Sequence, residues 1–209
     1  MGASSFFILL RMAKRVALFC GSFNPIHVGH LALCNFIAEN TPVDEVRFVV
    51  SPQNPFKVNA DLLDDNIRLE MVRQATAGYR KFTVSDLEFC LEKPSYTYIT
   101  LQKFSELEPD THFILIMGGD NLDAFRKWKN WEWIMDHYEI WVYPRLGSSN
   151  EIPADFRNFH RVETPIIEIS STFVRQSIAQ GKDVRYFLPE PVFKYIADNK
   201  LYGGKEGGR

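Results

Sequence analysis

Five short apolar runs punctuate the chain, rich in β-branched and aromatic residues: Val16 to Cys20, Val46 to Val50, His112 to Met117, Glu139 to Tyr143 and Ile166 to Ile169. Runs of this length without strict polar alternation read as strands buried on both faces. Between them lie amphipathic stretches that predict helices over Leu31 to Glu39, Leu62 to Thr76, Tyr98 to Leu107, Leu122 to Met135, Thr172 to Gln180 and Pro191 to Asn199. Strand and helix in alternation imply right-handed crossovers, hence an α/β fold with a doubly wound open parallel sheet and helices on both faces. Ligands of such sheets bind beyond the carboxyl ends of the strands, where the winding reverses. No internal repeat or linker divides the chain, and Gly147-Ser148-Ser149-Asn150 reads as a surface loop. Residues 12–202 are therefore expected to form a single domain.

A length of 209 residues with 45% hydrophobic content is enough for one sizeable core. The formal net charge of -2 leaves no basic surplus for nucleic acid or a membrane surface, so an anionic substrate has to be held by a local site. Cys20, Cys34 and Cys90 are odd in number, lack metal-ligand spacing and sit in apolar surroundings, which predicts reduced, buried thiols. Phe6 to Leu10 is a short apolar run followed by Arg11, Lys14 and Arg15, the reverse of a secretory signal, so a cytoplasmic protein is expected. Met12 reads as the natural start of the first strand. Residues 1–11 and the Gly-rich 203–209 are expected to be disordered extensions.

The first strand pattern runs into Gly21-Ser22-Phe23-Asn24-Pro25-Ile26-His27-Val28-Gly29-His30 and then a helical pattern. A helix start offers unpaired N–H groups and the positive end of a dipole, and so attracts phosphate. Glycines permit close approach and two imidazoles add donors, which makes Gly21, Ser22, Phe23, His27, Gly29 and His30 candidate contacts to a nucleotide triphosphate. A His-x-x-His pair by itself is more often two ordinary surface or core histidines; the ordering of glycine, proline turn and helix start favours phosphate. A second element, Ile169-Ser170-Ser171-Thr172-Phe173-Val174-Arg175, places hydroxyls after a strand pattern and an arginine on the following helix. Alone it could be a helix cap beside a solvated arginine. Together with the histidines it would meet a triphosphate from the other side, the guanidinium engaging several oxygens at once.

These two segments resemble the signatures of the nucleotidyltransferase superfamily, His-x-Gly-His and Ile-Ser-Ser-Thr-x-x-Arg, and the likeness is closest to the bacterial nicotinate-nucleotide adenylyltransferase family from about Arg15 to Tyr202. The resemblance implies a Rossmann-like fold and transfer of an adenylyl group from ATP to nicotinate mononucleotide. It implies His27, His30 and Arg175 as catalytic groups, with Ser171 and Thr172 joining them on the ATP phosphates. Pro94-Ser95-Tyr96-Thr97 and Met117-Gly118-Gly119-Asp120-Asn121-Leu122 are similar to that family's acceptor elements, implying substrate roles for Tyr96, Thr97, Gly119 and Asp120. Read as local structure, the same segments are helix caps, with Asp120 capping the helix after it. Trp128 is implied as a ring stacking on the pyridine, or is core. Lys57 and Arg145 are implied phosphate contacts, although Phe56 stands where the family usually has histidine and the neighbours of Arg145 depart from its Arg-Pro pattern. Asn24 replaces a common aspartate and keeps the oxygen acceptor a turn needs. Mg²⁺ is expected to arrive on ATP, with no metal-binding residue assigned. A nicotinamide-mononucleotide adenylyltransferase is the nearest alternative. Pantetheine-phosphate and glycerol-phosphate members share the phosphate motifs but lack the Pro94 to Thr97 element, and a non-catalytic nucleotide sensor is the alternative of another class.

Overall fold

The structure is a computed structural model that describes residues 13–52 and 62–203. Phe56 and Lys57, Met12 and the extensions 1–11 and 204–209 lie outside the described residues. Six strands form one parallel sheet: β1 (Lys14–Gly21), β2 (Glu45–Val50), β3 (Phe82–Ser85), β4 (Thr111–Gly118), β5 (Glu139–Tyr143) and β6 (Phe159–Arg161). Their order is β3-β2-β1-β4-β5-β6. The winding therefore reverses between β1 and β4, and the cleft beyond their carboxyl ends is where a ligand of this architecture sits.

The strands read as unbroken apolar runs because both faces are covered. In β1, Ala17 and Phe19 enter one cluster while Val16 and Leu18 enter the other; β4 divides likewise into Ile114 and Ile116 against Phe113, Leu115 and Met117. The first cluster is closed by helices α1 (Val28–Asn40), α2 (Asp65–Thr76), α6 (Ser171–Ala179) and α7 (Glu190–Asp198). The second is closed by α3 (Thr97–Leu107), α4 (Gly119–Ala124) and α5 (Trp131–His137). The doubly wound sheet expected from the apolar pattern is thus present, with helices on both faces.

Three local expectations are corrected, and two edge strands are added. The predicted helix Leu122 to Met135 is two helices with a 3-10 turn at Phe125–Lys127 between them, and Asn130, in the left-handed region at φ 56°, starts the second. Ile166 to Ile169 is not a strand; Pro165 supplies no N–H to a ladder, and the segment lines the cleft, with Ile169 also packed against the first core cluster. The edge beyond β5 is taken by β6, which is too short and polar to stand out, and β3 is a half-buried edge strand of four residues. Cys34 is buried, but Cys90 ends the 3-10 turn Leu87–Cys90 and is exposed.

Candidate active site

The turn after β1 is held from beneath by a buried cation. Arg68 of α2 is fully buried, donating from Nη1 to the carbonyls of Ser22 (2.5 Å) and Ser51 (2.9 Å), from Nε to Leu63 (2.9 Å) and from Nη2 to Pro52 (3.3 Å), with Asp65 as its ion-pair partner at 2.5 Å. A guanidinium can satisfy that many acceptors because its donors form a planar fork. Phe23 sits in the turn at φ 44°, and its ring packs edge-on to His30 with centroids 5.3 Å apart. The turn thereby delivers His27 to the N-cap of α1 and His30 to its first turn, where His30 Nδ1 accepts the His27 N–H at 3.2 Å.

The two imidazoles stack, centroids 3.6 Å apart and 20° from parallel. Gly29 leaves room for the His27 ring: a Cβ there would lie 3.1 Å from His27 Nδ1, so the ring would have to give by a few tenths of an ångström. Burial pushes the His27 pKa down to about 4, and the Arg145 charge adds to the effect. The same burial, then His27 and Arg145, hold His30 well below the usual histidine value. Both rings are neutral at pH 7 and face the cleft as hydrogen-bonding groups rather than cations. Among the described residues the buried His27 Nδ1 has no hydrogen-bond partner, a costly arrangement unless a ligand completes it.

The second segment is fastened directly to the first. Ser171 Oγ donates to the Pro25 carbonyl at 2.8 Å, and Arg175 Nη1 donates to the Asn24 carbonyl at 2.8 Å. Arg175 Nη2 also reaches Thr172 Oγ1 at 3.4 Å, while Ser170 caps α6 by accepting the Phe173 N–H at 3.1 Å. Tyr202, from the chain after α7, donates to Asn24 Oδ1 at 2.7 Å and so locks the turn from a third direction. Two helix starts, α1 and α6, therefore open on one cavity of about 550 Å³.

That cavity is lined by Gly21, Ser22, Phe23, His27, Gly29, His30, Ser171, Thr172 and Arg175, the whole set expected at ATP, and also by Asp120 and Arg145. Asp120 does not cap α4; Gly118 does, leaving the Asp120 carboxylate in the first turn, 3.6 Å from Arg145 Nε. Gly119, Tyr96, Thr97 and Trp128 are not in this lining. Thr97 starts α3, and the Tyr96 ring beside it carries the Lys129 ammonium 4.6 Å from its centroid. Trp128 is half-buried with its ring 5.6 Å from Phe125, against the second core cluster. Ser95 and Thr100 flank this helix start and both donate to the buried Glu88 carboxylate, at 2.9 and 2.8 Å; burial raises the Glu88 pKa.

Several contributors were not singled out in the sequence. Arg68 carries no signal there, since an Asp and an Arg three residues apart on an amphipathic helix resemble a surface pair. Leu146 and Ile166, 61% and 50% exposed, give the cleft an apolar wall. Tyr143 also lines it, its hydroxyl pushed up to about 12 by burial.

A family model described as cytidylyltransferase-like matches residues 18–177. The chain is 49% identical over 188 residues to a Cytophaga hutchinsonii protein described as a probable nicotinate-nucleotide adenylyltransferase, covering 90% of this chain and 98% of that protein. A Bacteroides fragilis protein of the same description is 49% identical over 186 residues, covering 88% and 92%. Among solved structures, the Plasmodium falciparum nicotinic acid mononucleotide adenylyltransferase complexed with NaAD aligns with a TM-score of 0.74 at 20% identity, over 90% of this chain and 97% of that one, a likeness of fold. The cleft between two helix starts and a match along most of its length lead to one conclusion: the chain belongs to the cytidylyltransferase-like family, in the group of the nicotinate-nucleotide adenylyltransferases.

Proposed function

We propose that this chain transfers the adenylyl group of ATP to nicotinate mononucleotide, releasing pyrophosphate and forming nicotinate adenine dinucleotide in NAD biosynthesis, with residues 12–202 acting as one nucleotidyltransferase domain in the cytoplasm. The observation that carries the reading is the fastening of the α6 start to the β1–α1 turn through Ser171 and Arg175, on a cleft that holds both histidines. Relatives described as nicotinate-nucleotide adenylyltransferases support the acceptor.

The acceptor phosphate is already an ionised nucleophile, so in-line attack on the α-phosphorus requires no base and no covalent enzyme intermediate. The protein positions the two phosphates and stabilises charge growing on the α-phosphate and the leaving pyrophosphate. His27 and His30 are assigned to the α-phosphate side: neutral imidazoles donate hydrogen bonds without the desolvation cost of buried cations. Arg175, with Thr172 and Ser171, is assigned to the β- and γ-phosphates. Arg145 meets substrate phosphate at the cleft mouth and Asp120 accepts from ribose hydroxyls; Gly21, Ser22, Phe23 and Gly29 give the backbone surface beneath the nucleotide. Tyr96 and Thr97 supply α3 amides for the pyridine carboxylate, Gly119 supports the neighbouring helix start, Trp128 offers a flat ring, and Lys57 is assigned to acceptor phosphate.

Among the described residues no group of three or more His, Cys, Asp or Glu side chains is arranged to hold a metal. Magnesium is assigned to ATP itself, held by phosphate oxygens and water, and when bound would supply neutralisation of charge on the leaving group. Comparing pyrophosphate release with nicotinate and nicotinamide mononucleotides, each with ATP and Mg²⁺, tests the proposal. Preference for the acid is the expected result. Preference for the amide moves the chain to the nicotinamide enzymes, and release with neither leaves a nucleotide-binding protein without transfer activity.

A further inference from the structure

We infer that Asn150 is a positioning residue for the nucleotide cleft, folding the loop after β5 around Arg145 and thereby setting where that guanidinium stands; the inference rests on reading the cleft as a nucleotide site. Arg145 is 42% exposed on a loop, and a long side chain in that setting finds one position only if its backbone is fixed. Asn150 fixes it at both polar groups. Its Oδ1 accepts the Arg145 N–H at 2.8 Å, and its Nδ2 donates to the carbonyls of Arg145 at 2.8 Å and Ser148 at 3.0 Å. The side-chain amide thus takes the place of a neighbouring strand at the point where β5 has ended.

The same residue docks the loop on α4. A Cβ at Gly119 would lie 2.1 Å from Asn150 Oδ1, so only glycine admits the amide there. Ser149 adds two bonds from its N–H and Oγ to the Asp123 carboxylate, at 3.3 and 2.6 Å. The loop bearing Arg145 is therefore pinned to the helix bearing Asp120, its partner across the cleft mouth at 3.6 Å. Arg145 in this place is close enough to bear on the charge of both imidazoles. Asn150 itself is at φ 54°, a conformation that asparagine tolerates better than most residues and glycine adopts freely.

Glycine at position 150 accordingly removes the amide without straining the backbone, which makes Asn150→Gly the informative variant. Steady-state kinetics with ATP and nicotinate mononucleotide are measured for the wild type, Asn150→Gly, Arg145→Ala and the double variant. Loss of the amide is expected to lower kcat/KM about tenfold when Arg145 is present and less than about twofold when it is alanine, the non-additivity of two groups acting as one. Equal losses in both backgrounds, or no loss in either, overturn the inference. Calorimetric ATP binding on the same four proteins repeats the cycle without the acceptor: coupling there, in a wild type that does not turn over nicotinate mononucleotide, upholds the role of Asn150 and rejects the acceptor assignment. A wild type that binds no ATP overturns both.

Discussion

His27 and His30 are stacked in a buried place where protonation is costly, and that single circumstance sets the pH behaviour of the site. The histidine pKa is 6.5 without burial and about 4 for His27 in the folded protein, so between those values the unfolded chain binds a proton that the folded protein refuses. Stability attributable to His27 is complete above pH 6.5 and is lost as pH falls towards 4, by about 3 kcal/mol over the full shift. Melting curves recorded across that window are expected to fall more steeply for the wild type than for His27→Gln; parallel curves contradict the assignment. A neutral imidazole as donor also predicts that His30→Ala lowers turnover by roughly 10²- to 10³-fold, as for loss of an oxyanion donor, with the melting temperature little changed. Turnover near the wild-type value removes His30 from catalysis. The residues assigned to phosphate were legible because motif residues carry their chemistry in their identity. Arg68 and Asn150 were not, since their partners are backbone carbonyls and amides that come near only on folding.

At the scale of elements, α1 and α6 begin where a strand or extended segment stops, and their starts were readable from glycine, proline and hydroxyl residues. The interior of the Leu122 to Met135 stretch was not, because the hydrophobic pattern continues through a break made by the backbone of Asn130. Ile166 to Ile169 misled for a related reason: apolar residues that line a ligand cleft have the composition of a strand without its partners. Helix α2 supports the site from outside the cleft, through the Arg68 bond to the Ser22 carbonyl. Replacing Arg68 by methionine removes donors from four backbone carbonyls and leaves Asp65 without this partner. A loss of about 3 to 5 kcal/mol in unfolding free energy is expected, read by denaturant titration; a change below about 1 kcal/mol would show that the turn holds itself.

For the whole molecule, the strand order places the reversal of winding between β1 and β4, so the exits of those two strands and of β5 face one cleft. Parallel, two-sided burial explains why the sheet was readable from apolar runs at its centre and poorly at its edges, where β3 and β6 are short and partly polar. The hydrogen bonds from Ser171 and Arg175 to the first turn then join the last third of the sequence to the first strand, 146 and 151 residues away. No spacing rule connects positions so distant; only the fold does. The central claim is that both segments grip one polyanion, and a crystal structure with a non-hydrolysable ATP analogue tests it most directly. The account predicts phosphate oxygens within hydrogen-bonding distance of both the His27–His30 pair and Arg175. Phosphates bound by one segment alone, or outside the cleft altogether, contradict it.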